Sequence, residues 1–147
     1  MDVCECDLVD IPAISRYNIN KFLLTAIDVF SKFLHVVPLR LKTGKDRTTA
    51  FLSLFKDPTY SGSVRKRSIM VRTDEGKEFL NKTFQDMLKR EGIEFSVCRN
   101  PDVKCTVIDR THRTLRDKLY KYFTYMNTHR YIDVLQDSVT GYNHTVH

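Results

Sequence analysis

Three aspartates fall where a strand or a helix can carry them to one place. Asp7 lies inside the apolar run CDLVDI, Asp74 directly follows IMVRT, and Asp109 opens the charged face of the segment IDRTHRTLRDK. One such aspartate is ordinarily a cap or a solvated surface charge. Three converging ones repel one another unless a cation intervenes. Oxygen donors of this kind suit Mg2+ or Mn2+ better than zinc. Two such ions about 3.5–4 Å apart activate an attacking oxygen and stabilise the leaving oxygen of a phosphodiester, so no nucleophilic side chain is needed. Asp7, Asp74 and Asp109 are therefore the candidate metal ligands and catalytic residues.

A basic stripe adjoins the third aspartate. His112, Arg113 and Arg116 lie three, four and seven positions beyond Asp109 and so share its side of a helix. Positive charge there would hold the phosphates flanking a reacting strand, which makes these three the candidate nucleic-acid contacts. The whole chain carries 24 Lys and Arg against 18 Asp and Glu, a net charge of +6. That balance permits a polyanionic partner without establishing one. The basic residues concentrate at VRKR, 64–67, and along RTHRTLRDKLYK, 110–121.

The other carboxylates read differently. Asp10 is three residues from Asp7, so strand alternation sends it to the opposite face. Asp28 suits a hairpin turn in DVFSK, and Glu75 and Glu78 are reserve carboxylates beside Asp74. Gly76 suits a tight turn directly after Asp74. It belongs to no glycine-rich phosphate loop. Cys4, Cys6, Cys98 and Cys105 lack the paired spacing of a zinc ribbon and are expected to be thiols. His144 and His147 are expected at the surface.

The elements that would position the aspartates follow from hydrophobic period. CDLVDI, FLLTAIDVF and KFLHVVPL read as three strands, the last two joined by a hairpin. From Thr43 to about Lys56 the period becomes helical, with Ala50, Phe51, Leu54 and Phe55 on one stripe and Pro58 ending it. SIMVR, 68–72, is a short buried strand. Residues 78–90 return to helical spacing, and IEFSV, 93–97, is a fifth strand. A long helix begins near Cys105 with Ile108, Leu115, Leu119 and Tyr122 as its seam, and a last helix covers 129–141. The order β-β-β-α-β-α-β-α-α predicts an α/β domain, a mixed five-stranded sheet flanked by helices. The loop at 57–67 is its expected flexible connection.

Composition sets the outer limits. The 147 residues fit one domain. At 41% hydrophobic and 29% charged, with five Gly and four Pro, the chain is neither collagen-like nor wholly disordered. FLLTAIDVF is too short to cross a bilayer and holds an aspartate, so no membrane role is expected. MDVCECD lacks the basic-then-apolar pattern of a signal peptide, so a reducing compartment is the expectation.

On these residues the chain resembles the catalytic core of retrovirus-type integrases, especially those of Maverick/Polinton-like transposable elements. Asp7 in CDLVDI resembles the family's first-strand aspartate, and RTDEGKEF matches its Thr-Asp-x-Gly-x-x-Phe signature at Asp74. LLTAIDVFSKFLHVVPL resembles its second and third strands, and YIDVLQDSVTGYNHTVH its final helix and Tyr-Asn ending. NPDVKCTVIDRTHRTLRDKLYKYF resembles the segment carrying the family's glutamate, which falls on Asp109 at a spacing from Asp74 close to the usual one. The resemblance implies a ribonuclease-H-like fold, Mg2+ or Mn2+ as cofactor, DNA as partner and a homodimer or higher assembly. It implies that residues 1–147 are one catalytic core from a longer integrase, acting in the nucleus if the host is eukaryotic. It also implies that Arg113 and Arg116 contact element-end DNA.

Three departures stand out: Asp109 is one methylene shorter than the family's glutamate, Cys105 stands where relatives often have a small residue, and His112 replaces the usual asparagine. All-aspartate triads occur in related transposases. The leading expectation is a polynucleotidyl transferase that processes transposable-element DNA ends and joins them to target DNA. The alternative is a catalytically impaired or domesticated core retained for DNA binding or self-association. A ribonuclease-H-like nuclease acting on RNA–DNA hybrids is a third reading, disfavoured by the TDEGKEF and DRTHRTLRDK blocks.

Overall fold

Among the described residues, β-branched, apolar runs broken by short polar turns form five strands, and the segments of helical period form four helices. The computed structural model describes residues 2–10, 22–40, 43–55, 69–74, 79–98, 106–127, 130 and 134–145. In chain order the elements are β1 (Asp2–Asp10), β2 (Phe22–Asp28), β3 (Leu34–Leu39), α1 (Gly44–Phe55), β4 (Ile69–Asp74), α2 (Lys82–Arg90), β5 (Glu94–Cys98), α3 (Thr106–Met126) and α4 (Leu135–Asn143). The expectations for VRKR, the 57–67 loop, Glu75, Gly76, Glu78, Cys105 and His147 lie outside the described residues.

The sheet order is β3-β2-β1-β4-β5. β1, β2 and β3 pair antiparallel, with Asp7 opposite Thr25, whereas β4 lies parallel to both β1 and β5. Asp28 builds the β2–β3 turn: its Oδ1 accepts from the backbone N–H of Phe30 at 2.8 Å and of Ser31 at 3.3 Å. Lys32 then adopts a left-handed φ of 64°, and its N–H returns to the Asp28 carbonyl at 2.8 Å.

Strand alternation divides the interior in two. Cys4, Cys6, Leu24, Ala26 and Val71 face α1 and α2, where Phe51, Phe79 and Phe84 meet edge to face. Leu23, Ile27, Leu34 and Val36 face α3 and α4. Cys4 and Cys6 are thiols on one face of β1, with their sulfurs 3.8 Å apart. The odd residues of β1 therefore point toward α3, and so do Glu5 and Asp7.

Two helix boundaries and one helix seam differ from the periodic reading. α2 starts at Lys82 because the Asn81 side chain caps it, accepting the Phe84 N–H at 2.9 Å. The same side chain explains Gly44, where a Cβ would come within 2.5 Å of Asn81 Oδ1. The seam of α3 runs through Ile108, Thr111, Leu115, Leu119 and Phe123; Tyr122 is half-buried beside it. Thr111 enters an apolar seam because its hydroxyl donates to Val107 O at 2.7 Å and meets Tyr142 Oη at 3.1 Å. α4 begins at Leu135 and continues to Asn143, burying Leu135, Val139 and Tyr142.

Two amides of α4 attach that helix to β3. Asn143 accepts the Leu34 N–H at 2.7 Å and donates to the Leu34 carbonyl at 2.9 Å, and Gln136 donates to the Val36 carbonyl at 3.0 Å. Asn143→Ala removes two hydrogen bonds and is expected to cost about 1–3 kcal/mol. Urea denaturation measures it, and a change below about 0.5 kcal/mol would show that solvent replaces both bonds.

Candidate active site

Everything that positions the site is anchored by a buried carboxylate. Glu5, fully buried in β1, receives Arg72 Nη2 of β4 on Oε1 at 2.6 Å. Its Oε2 accepts the N–H of Ile108 at 2.8 Å. Ile108 is the third residue of α3, so the carboxylate satisfies a helix-start donor and complements the positive end of the helix dipole. One side chain thus ties β1, β4 and α3 together, two residues before Asp7 and one residue before Asp109.

Asp7 projects from β1 on the same face as Glu5. Its Oδ1 accepts the Leu8 N–H at 2.8 Å, and its Oδ2 faces His112 Nδ1 at 3.7 Å. One donor atom each from Asp7, Asp109 and His112 lie within 4.8 Å of one another. Asp109 is exposed and Asp7 is 34% exposed, so the group opens to solvent, while His112 is only 11% exposed and lies at its inner wall.

Asp74 ends β4. The pairing of β1 with β4 reaches Glu5 opposite Arg72, and Asp7 and Asp74 each lie two residues beyond that pair in their own strands. The Asp74 charge acts on His112. The structure thus gathers Asp7 and Asp109 with His112 and sets Asp74 at the neighbouring strand end, outside that group of three.

The His112 ring is held from the far side. Thr25, opposite Asp7 on β2, places its hydroxyl 2.7 Å from His112 Nε2 and donates to the Asp7 carbonyl at 3.1 Å. Burial pushes the His112 pKa from 6.5 down to about 4; Arg116 adds to the fall and Asp74 opposes it. At pH 7 the ring is neutral. Arg113 and Arg116, by contrast, are exposed along α3.

Glu5 and Thr25 are the positioning residues that the sequence reading passed over. A signal for the first existed. An acid between two cysteines in a strand covered on both faces must find a cation or a backbone N–H.

Against known proteins, the family model described as the integrase core domain matches residues 1–102. A putative uncharacterized transposon-derived protein of Caenorhabditis elegans is 32% identical over 136 residues, covering 90% of this chain and 45% of the relative. The chain therefore spans less than half of that protein. Among solved structures, a chain of the simian T-cell lymphotropic virus intasome superposes with a TM-score of 0.78 at 19% identity, over 98% of this chain and 49% of that one. The HTLV-2 integrase catalytic core domain in complex with magnesium, in its dimeric form, gives 0.69 at 20% identity, over 93% and 82%. The BIV integrase catalytic core gives 0.71 at 18%, over 99% and 85%. At such identities the likeness establishes the fold, the ribonuclease-H-like mixed sheet of integrase cores.

Proposed function

From the premise that this chain belongs to the integrase core domain family, we propose that it is the catalytic core of a divalent-metal-dependent polynucleotidyl transferase that processes transposable-element DNA ends and joins them to target DNA. One observation carries the reading: Asp7 of β1 and Asp109 of α3, 102 positions apart, bring donor atoms within 4.8 Å of each other at an open surface. The transposon-derived worm relative supports the transposable-element part of this reading, and the finer kinship with Maverick/Polinton-like integrases is proposed from the sequence motifs alone.

The donor chemistry fits the metal. Hard carboxylate oxygens from separate elements suit Mg2+ or Mn2+, and the neutral His112 adds no opposing charge. Asp7, Asp74 and Asp109 would hold the ions. When bound, they supply Lewis-acid polarisation of the phosphodiester and a more acidic attacking hydroxyl. The chain's own residues do the rest. Glu5 holds Asp7 and Asp109 in mutual reach by fixing the start of α3 to the sheet. Arg113 and Arg116, exposed one and two turns beyond Asp109, hold the phosphates of the reacting strand. His112 borders that stripe at its inner end. Phosphate contacts of this kind position DNA without reading its sequence. Self-association in the manner of the dimeric and trimeric viral cores is part of the proposal.

The test is cleavage and strand transfer on oligonucleotide ends with Mg2+, Mn2+ or chelator. Products are expected with either ion and none with chelator. Asp109→Glu is expected to lower turnover roughly tenfold, because the added methylene moves the carboxylate off the position the site is built around. A gain would instead mark the native triad as damaged. DNA binding without chemistry in either ion would replace this reading with a core kept for binding or self-association.

A further inference from the structure

The protons around His112 can be assigned from one hydroxyl. Thr25 has a single hydroxyl proton and two neighbours, the Asp7 carbonyl at 3.1 Å and His112 Nε2 at 2.7 Å. The carbonyl can only accept; with the Thr25 proton directed to it, Thr25 accepts from His112 Nε2, which is the arrangement in which both contacts are hydrogen bonds. The ring proton therefore sits on Nε2. In the neutral imidazole this leaves the lone pair on Nδ1. Nδ1 is the nitrogen that faces Asp7 Oδ2 at 3.7 Å.

A nitrogen lone pair directed at a carboxylate oxygen, with another carboxylate beside it, is unfavourable unless something positive lies between them. A second-sphere hydrogen bond that sets the tautomer and aims the other nitrogen inward is how proteins prepare a metal-binding histidine. Thr25 provides that hydrogen bond. The distances agree. Two donors each about 2.0–2.2 Å from one ion lie between roughly 3 Å and roughly 4.3 Å apart, depending on whether they are adjacent or opposite. Nδ1 and Oδ2 already lie in that interval, and the full group, within 4.8 Å, needs only a small contraction.

We propose that His112 binds the divalent ion of this site directly through Nδ1, beside Asp7 and Asp109, and that the site is thereby biased toward Mn2+ and similar nitrogen-tolerant ions over Mg2+. The inference rests on the metal-dependent reading above and adds a ligand to it. Imidazole suits later first-row ions, whereas Mg2+ prefers an all-oxygen environment. Asparagine at position 112 would offer an amide oxygen in place of the nitrogen.

The test is the Mn2+ complex of the whole chain, examined by pulsed electron paramagnetic resonance for modulation by a directly bound 14N nucleus. Mn2+ affinity is measured alongside, with Mg2+ affinity obtained by competition. The native protein should show imidazole nitrogen modulation, and this reading depends on no variant folding. In His112→Asn the modulation should vanish and Mn2+ affinity fall at least about tenfold. Mg2+ affinity should change by less than about threefold. Mn2+ bound by the native chain without nitrogen modulation overturns the inference and leaves the metal-dependent core in place. No Mn2+ binding, or binding indifferent to Asp7→Asn, overturns both.

Discussion

Asp7→Asn is expected to abolish metal-dependent strand transfer, by roughly a thousandfold or more, while making the metal-free protein more resistant to heat. The two effects share one cause. Asn keeps the size of Asp and can still accept the Leu8 N–H, so the local backbone of β1 is retained. What disappears is one negative charge from a site where carboxylate donors of Asp7 and Asp109 crowd within 4.8 Å. Without a cation their repulsion opposes folding, so neutralising one raises the melting temperature. With Mn2+ or Mg2+ present the order reverses, because an ion that binds only the folded native site stabilises it by mass action. Product assays and thermal melts with and without metal measure both effects. A variant that retains a tenth of native activity would remove Asp7 from the chemistry. A variant that melts lower in chelator would show that the crowding costs nothing.

Glu5→Ala is expected to cost about 3–5 kcal/mol of stability. The truncation leaves the Ile108 N–H without its acceptor at the start of a 21-residue helix. It also removes the carboxylate that faces Arg72 from a fully buried position. Arg72 is 29% exposed, which allows water to replace part of the loss and favours the lower end of that interval. Glu5→Gln keeps the shape and an acceptor oxygen and should cost about 1–2 kcal/mol. Urea denaturation distinguishes them. Equal effects of Ala and Gln would mean that charge alone matters, and a loss below about 1 kcal/mol for Ala would deny the anchoring role. Because Asp109 follows Ile108 directly, Glu5→Ala should also weaken Mn2+ binding without touching a ligand.

The order of elements was legible because each relied on local composition and period: short apolar, β-branched and aromatic runs in β2 and β3, a three-to-four spacing in α1 and α2. The Asp28 turn and the shared face of Cys4 and Cys6 were legible for the same reason. Asp7 and Asp109 could be nominated because acids in or beside apolar runs are uncommon. Contacts that depend on long-range placement were not legible. Glu5 meets Ile108 across 103 positions, and nothing local to either residue specifies the other. His112 was grouped with Arg113 and Arg116 because all three lie near Asp109 on a helical wheel. At 3.6 residues per turn, however, a step of three turns about 60° one way from Asp109 and a step of four about 40° the other way. The buried seam through Ile108, Leu115 and Leu119 lies on the His112 side, so that ring points to the sheet while Arg113 stays in solvent. Tyr122 and Phe123 exchange places in the seam for a related reason, since the buried face follows the i, i+4 row from Leu115 through Leu119.

The Asn143 and Gln136 amides have a consequence for how copies of this chain can come together. β3 is the outermost strand on its side of the sheet, and such a strand ordinarily presents a row of unpaired donors and acceptors to any other extended chain. Leu34 offers both its N–H and its carbonyl to α4 instead, and Val36 its carbonyl. Those three groups are thereby withdrawn from pairing with an added strand. An oligomer on that flank would therefore be built mainly from side-chain surfaces instead of by adding strand to strand.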